Sequence, residues 1–336
     1  HGHGQAFPGV DKHDDAGDYD LNQRMLTIMS YHGGSASKHR TAMTPMLFDI
    51  AALQEMYGAN TTYRDGNDTY SVNFNPKDPE HNADALGWTC IWDTGGIDTM
   101  SNEGSTFDSQ INLNSYPLLG GAEAENKPWV YASTNWTPVF LTAGLMLADG
   151  VIIENAIGGS GKDTIYGNAV ANHLVGGLGD DIIKGGGGND ILEGGGGNDI
   201  LEGGMGADFL TGGSGDDKLT GGQNDDVFVF NTELGNVDTI TDFSINEDLF
   251  FLDHNIFTSL ILDDGLLSKF LNTDQFVSSN TGSIQALNAD DFLLYDQNSG
   301  HLYYDADGSG TNDAAILFAS LTGSPDDLTS KSFAII

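Results

Sequence analysis

Eight nine-residue units follow one another without a slip from Gly158 to Val229: GGSGKDTIY, GNAVANHLV, GGLGDDIIK, GGGGNDILE, GGGGNDILE, GGMGADFLT, GGSGDDKLT and GGQNDDVFV. Half of the chain's 46 glycines lie in this block. The sixth place holds Asp163, Asn172, Asp181, Asp190, Asp199, Asp208, Asp217 and Asp226. The eighth holds Ile165, Leu174, Ile183, Leu192, Leu201, Leu210, Leu219 and Phe228. A glycine-rich half-turn, an acid and a short strand with one apolar residue make the unit of a parallel β-helix. A disordered Gly/Asp linker would have no strict apolar place every nine residues.

With two units to a coil, residues 18 apart stack on the same side. Asp163 then lies near Asp181, Asp190 near Asp208, Asp199 near Asp217, and Asp208 near Asp226. Stacked carboxylates repel unless a hard cation sits between them, and tightly turning glycines expose carbonyl oxygens as further ligands. One apolar residue per unit is too thin a core to hold the block by burial alone, so its folding is expected to be linked to calcium. Two units depart from the pattern: GNAVANHLV lacks the acid, and Asn224 replaces the fourth glycine of the last.

Composition narrows the partners. Of 336 residues, 49 are acidic and 12 are Lys or Arg, a formal net charge of -37. Nucleic-acid backbones and anionic membrane surfaces would be repelled. The longest apolar stretch, Val139–Leu147, reaches about half a bilayer, so no membrane span is expected. The single Cys90 excludes an internal disulfide framework and a thiolate-rich zinc site. No basic segment followed by an apolar one opens the sequence, so no cleaved signal peptide is expected.

Upstream of the repeat, Thr44-Pro45 opens a helix that closes at Gly58, with Met46, Ile50, Leu53 and Tyr57 at helical spacing for packing on a core. From Tyr63 to about Glu154, β-rich runs such as TYSVNF, TCIW and INLN alternate with Gly/Asn/Asp turns.

The strings PMLFDIAALQEMYGANTTY, WDTGGIDT and GVIIENAIGGSGKDTIYGNAVANHLVGG, together with the nonapeptides, resemble the serralysin-type secreted metalloproteases. These are metzincins of the M10 family with a calcium-binding RTX β-roll behind the catalytic domain. The resemblance runs from about Asp18 to Asp253, and an RTX-type ending continues to Ile336. It implies a mainly β chain: the C-terminal part of a metzincin α+β catalytic domain over residues 1–62, then a β-rich junction over 63–157. The parallel β-roll follows over 158–229, and a β-rich C-terminal cap over 230–336.

The family's zinc helix reads HExxHxxGxxHP, and a later Met-turn reads MSY. LTIMSYHGG carries the Met-turn, which implies Met29 beneath the metal and Tyr31 as the switchable ligand. HGHGQAFPG lines up with the second half of the zinc helix, placing His1 at the second histidine, Gly4 at the glycine and Phe7 at the third histidine. The first histidine and the general-base glutamate would precede residue 1. A catalytic zinc needs three protein ligands and a base for its water. With His1 and Tyr31 as the zinc candidates, and His3, His13 and His32 unmatched to the motif, the chain alone is expected not to cleave peptides.

The resemblance also implies calcium at the junction. It would be held by the carbonyl oxygens of Arg64 and Gly66, by Asp93, Gly95, Gly96 and Asp98, and by Ile152 and Glu154, with Asp68 as an extra ligand; the alternative is a plain hairpin at WDTGGIDT. In the roll the calcium ligands are Asp163, Asp181, Asp190, Asp199, Asp208, Asp217 and Asp226. Beyond it, Asp238 and Asp242 alternate with Ile240 and Phe243 as on a half-exposed strand. Together with Asp248 or Asp253 they are further calcium candidates or ordinary solvated acids. Asp305-Ala-Asp-Gly-Ser-Gly matches the start of an EF-hand loop, but Ile316 at its twelfth place favours a hairpin turn. The closing Lys-Ser-Phe-Ala-Ile-Ile resembles the uncleaved signal by which RTX proteins leave Gram-negative cells through a type I exporter, and equally a last sheet strand.

Two functions follow. One is the C-terminal portion of a secreted zinc endopeptidase acting on a polypeptide substrate, its roll folding on extracellular calcium. The other is a non-catalytic, calcium-dependent structural, adhesive or matrix protein derived from such an enzyme.

Overall fold

The computed structural model describes residues 50, 53–54, 56–57, 60, 62–71, 88–114, 133–134, 144–260, 270–281, 284–310 and 314–336. His1, Met29 and Tyr31, and with them the zinc-helix and Met-turn expectations, lie outside these residues. The chain divides into two compact units, His1–Ser160 and Gly161–Ile336.

In the first unit, Thr69–Ser71, Thr99–Ser101 and Asn155–Ile157 run parallel in register, with Tyr70 opposite Met100 and Met100 opposite Ala156. All three are buried, so this row is the inner face of the sheet. Trp88–Ile91 pairs in parallel with Gly144–Leu147. Of the expected helix, Ile50, Leu53, Gln54, Met56 and Tyr57 are helical. Ile50 is buried, but Leu53 is 48% and Tyr57 81% exposed, so among the described residues the apolar face expected to pack on a core is covered at Ile50 alone. Helical spacing dictates which side is apolar, not what lies against it.

The second unit is a two-sheet solenoid. One sheet stacks His173–Leu178, Ile191–Gly196, Phe209–Ser214, Val227–Phe230 and Leu249–Leu252 in parallel. The other stacks Thr164–Tyr166, Ile182–Gly187, Ile200–Met205, Lys218–Gln223 and Asp238–Ile240. Within the repeats every partner is 18 residues away, as in Ile183 opposite Leu201 and Leu192 opposite Leu210. The side chains at the eighth place, Ile165 to Phe228, are all 0% exposed and form a single file between the sheets. From Gly177 to Gly222 the second place turns left-handed, with φ of 113° at Gly177 and 110° at Gly195, a region closed to most side chains. Asn224, at a fourth place, keeps a positive φ of 79°, which asparagine tolerates.

Beyond the repeats, aromatic rings widen this thin core. Phe243 stacks on Phe250 at 4.4 Å, Phe250 on Phe333 at 5.1 Å, and Phe257 meets Phe318 edge-on at 5.2 Å. Phe333–Ile335 is a strand, parallel to Leu249–Leu252. His301–Tyr304 pairs antiparallel with Ile316–Leu321. The Asp305 segment is therefore the connection of a hairpin.

Candidate metal sites

Each acid at the sixth place ties two coils together. The amide of Asp163 donates to Oδ1 of Asp181 at 2.7 Å, that of Asp181 to Asp199 at 2.7 Å, and that of Asp199 to Asp217 at 2.8 Å. On the opposite edge Asn172 donates to Asp190, Asp190 to Asp208, and Asp208 to Asp226, at 2.8 to 2.9 Å. Oδ1 of each acid from Asp181 to Asp226 is thus occupied. The Oδ2 atoms of Asp181, Asp190, Asp199, Asp208 and Asp217 are buried with no hydrogen-bond partner.

A buried carboxylate with one uncompensated oxygen is costly to ionise. Burial, reinforced by neighbouring carboxylates, pushes Asp181 up to about 8, Asp190 to about 7, Asp199 to about 6 and Asp226 to about 7. Burial also raises Asp208 and Asp217. A second ligand type lies beside the orphan oxygens of Asp181, Asp190, Asp199 and Asp208. A Cβ built on Gly185, at the first place, would collide with both Asp190 Oδ2 and the carbonyl oxygen of Gly203. Gly176 and Gly194 stand in the same relation to Asp181 with Gly194, and to Asp199 with Gly212. The missing side chain leaves a pocket walled by an anionic oxygen and a backbone carbonyl, the donor set of a hard divalent cation. The residues fit calcium.

The ladder outruns the repeats. The amide of Asp217 donates to Oδ1 of Asp238 at 3.0 Å, and that of Asp226 to Asp248 at 2.9 Å. Here the separations are 21 and 22 residues, so counting by nines loses the sixth place while the structure keeps it. Asp238 and Ile240 are both buried, which corrects the expected alternation of acid and apolar faces. Burial and neighbouring acids push Asp238 up to about 7, and burial raises Asp248. Asp242 is exposed, and its two oxygens accept from Gly221 N at 3.0 Å and Gly222 N at 2.9 Å. Asp253 closes a local turn, accepting from Asn255 N at 2.8 Å.

The fifth place carries a second ladder that the sequence reading missed. Asp180 Oδ1 accepts from the amide of Asn198 at 3.1 Å, Asn198 from Asp216 at 2.9 Å, and Asp216 from Val237 at 2.9 Å. Asn189 accepts from Ala207 at 3.1 Å on the opposite edge. The signal was the excess of Asn and Asp immediately before the acid.

In the first unit, carboxylate oxygens of Asp68, Asp93 and Asp98 all lie within 4.8 Å of one another. Asp98 is fully buried: Oδ1 accepts from Asp68 N at 2.8 Å, and Oδ2 has no hydrogen-bond partner. Burial raises its pKa, and the charges of Asp93, Glu154 and Asp68 add to the shift. Glu154 Oε2 accepts from Asp98 N at 2.8 Å. Asp93 Oδ1 accepts from Gly95 N at 3.0 Å, and its Oδ2 accepts from the buried Tyr70 hydroxyl. A Cβ on Gly96 would collide with the Gly66 carbonyl oxygen, so that loop also closes by backbone contact. Arg64 sits at φ 51°, its carbonyl accepting from Thr94 N at 3.4 Å, and Ile152 is half exposed. The structure brings together Asp68, Asp93, Asp98 and Glu154; Tyr70, which braces Asp93, was not foreseen.

A family model described as the RTX calcium-binding nonapeptide repeat matches residues 153–169, 166–201 and 202–231. Serralysin of Photorhabdus laumondii is 38% identical over 166 residues, 46% of this chain and 30% of that protein. Serralysin of Proteus mirabilis is 35% identical over 181 residues, 51% and 32% of the two chains. The chain carries RTX calcium-binding repeats and is similar to serralysins over about half of its length. Metallopeptidase AprA of Pseudomonas marginalis is similar as well, 36% identical over 181 residues, 50% of the RTX chain and 34% of the relative. The RTX chain thus spans about a third of the length of these relatives. Its repeats are calcium-binding repeats, and the orphan Oδ2 atoms mark where their oxygens converge. Among solved structures, the AlgE6R3 subunit of the Azotobacter vinelandii mannuronan C5-epimerase covers 52% of the RTX chain and 78% of its own, at 21% identity. With a TM-score of 0.26, that likeness carries nothing further.

Proposed function

We propose that this is a secreted serralysin-family protein whose β-roll folds on meeting extracellular calcium. The observation that carries this reading is the row of buried, half-satisfied carboxylates from Asp181 to Asp217. Without a cation each contributes desolvation and mutual repulsion; with one, both are relieved and the coil closes. Extracellular calcium modules bind at about 10⁻⁴–10⁻³ M, so at micromolar cytosolic calcium the roll stays unfolded. A net charge of -37 favours that extended state, the form in which a type I exporter of a Gram-negative cell would accept the chain.

The junction cluster of Asp68, Asp93, Asp98 and Glu154 is a further calcium site, with Arg64, Gly66, Gly95, Gly96 and Ile152 supplying carbonyl oxygens. In the roll, Asp163 through Asp226 hold calcium, and Asp238, Asp242 and Asp248 extend the set. The relatives' names imply a metalloprotease, with zinc held in part by His1 and Tyr31. Phe7 at the third-histidine place favours the second reading, in which these 336 residues act without catalysis as a calcium-built structural or adhesive module.

Circular dichroism through a calcium titration tests the folding reading. The β signal rises cooperatively as calcium approaches the millimolar range; a complete β signal in chelator sinks it. Zinc content of the calcium-loaded chain, by elemental mass spectrometry, separates the two classes. About one zinc per chain supports the enzyme, and none supports the scaffold.

A further inference from the structure

The two edges of the roll hold similar sixth-place ladders but unequal fifth-place ones. Along one edge the fifth places read Lys162, Asp180, Asn198, Asp216 and then Val237, and the links are unbroken. Lys162 pairs with Asp180, the side chain of Asp180 accepts the amide of Asn198, that of Asn198 the amide of Asp216, and that of Asp216 the amide of Val237. Along the other edge they read Ala171, Asn189, Ala207 and Asp225. There Asn189 accepts from Ala207, but Ala171 and Ala207 have no side-chain oxygen to offer.

The two ladders run in opposite senses. At the sixth place an earlier amide donates to a later carboxylate, as Asp181 does to Asp199. At the fifth a later amide donates to an earlier side chain, as Asn198 does to Asp180. On the continuous edge each junction between coils is therefore clasped from both sides, by residues next in sequence to the acids whose Oδ2 atoms are orphaned. Oδ1 of Asp180, Asn198 and Asp216 is occupied by an amide, and Oδ2 of Asp180 by Lys162, so we take these side chains to act on the cation through the backbone. Formal charge does not separate the edges: one cation and two anions on the first, and one anion on the second, leave each at -1. Hydrogen bonding separates them, since each clasp fixes a turn that a bare coil must order when calcium arrives.

We propose that Asp180, Asn198 and Asp216 are positioning residues that preorganise one edge of the roll, so that the sites at Asp181, Asp199 and Asp217 take up calcium before those at Asp190, Asp208 and Asp226. This rests on the calcium reading above and adds an order to it. It also assigns the varied fifth place a function separate from ligation.

The test is residue-resolved hydrogen exchange on the full chain through a calcium titration. The amides of Asp181, Asp199 and Asp217 gain protection at a calcium concentration at least about threefold below that needed by Asp190, Asp208 and Asp226. Asn198→Ala abolishes this lead, whereas Asn198→Asp, which keeps an acceptor as Asp180 and Asp216 do, restores it. Ala207→Asn, which gives the amide of Asp225 an acceptor, moves the second edge toward the first and does not depend on the stability of the alanine variant. Equal midpoints on the two edges overturn the proposal. So does an Asn198→Ala chain in which both edges shift together, the mark of a merely structural role. An absence of calcium-dependent protection on either edge overturns the calcium reading itself.

Discussion

The amide of Asp199 donates to Oδ1 of Asp217 at 2.8 Å, while Oδ2 of Asp217 is buried with no hydrogen-bond partner. One carboxylate thus has two distinct environments: one oxygen joins coils, and the other is the proposed calcium ligand. Substitutions can separate the two.

Asp199→Asn keeps an oxygen for the amide of Asp181 and replaces the ionised oxygen with a neutral amide. The roll is expected to retain its registers but to lose calcium at that coil. Asp199→Ala removes both roles and lowers the cooperativity of the transition on either side. Calcium stoichiometry and the steepness of the circular dichroism titration, measured together, distinguish the variants. Identical behaviour would show that only one role matters.

Gly194→Ala places a methyl group against Asp199 Oδ2 and the Gly212 carbonyl, the two oxygens of one candidate site. Overpacking of this kind costs about 1–3 kcal/mol, and the expected result is one fewer calcium bound with the roll destabilised. Calorimetry in saturating calcium reads both.

Protons compete with calcium for the same acids. Burial holds Asp181, Asp190, Asp199 and Asp226 at about 6 to 8, above the ordinary carboxyl value near 3.8 of the unfolded chain. Between about pH 4 and 8 the folded, calcium-free roll therefore binds more protons than the unfolded chain. Its stability in chelator rises as pH falls through that window and is lost as pH rises through it. In calcium the dependence reverses, because protonated acids are poor ligands, and the titration midpoint moves to higher calcium at low pH. Circular dichroism in chelator that showed more β structure at pH 8 than at pH 5 would contradict this.

Asp305→Ala is expected to leave calcium stoichiometry unchanged. Its EF-hand-like string joins His301–Tyr304 to Ile316–Leu321, and Asp305 Oδ1 accepts from Asp307 N at 3.3 Å within that connection. A loss of one calcium in equilibrium dialysis would show that the loop holds a cation after all.

The repeat was legible because three places are fixed by independent physics: a left-handed turn, a carboxylate and a buried aliphatic. The 18-residue register and the burial of Ile165 through Phe228 follow directly. The fifth place was not legible, since a surface alternating Asp, Asn and Ala reads as solvated until neighbouring coils are superposed. Asp238 and Asp248 were candidates from the sequence, but their place in the ladder was hidden by three and four extra residues beyond the 18-residue spacing. At the junction, Asp93 and Asp98 came from the resemblance of WDTGGIDT to the serralysin turn, with a plain hairpin as the alternative. Tyr70, far off in sequence, becomes visible only when its hydroxyl meets Asp93.

Residues 185–193 and 194–202 have the same sequence, GGGGNDILE, and nothing inside such a ruler marks its zero. Sliding one coil past its neighbour by 18 residues would re-form nearly every contact of the repeat. The irregular ends forbid the slip, because Asp238 and Asp248 meet Asp217 and Asp226 at separations of 21 and 22, which no unit of nine can imitate. The repetitive middle supplies cohesion, and the broken periodicity at its end sets the address of every strand.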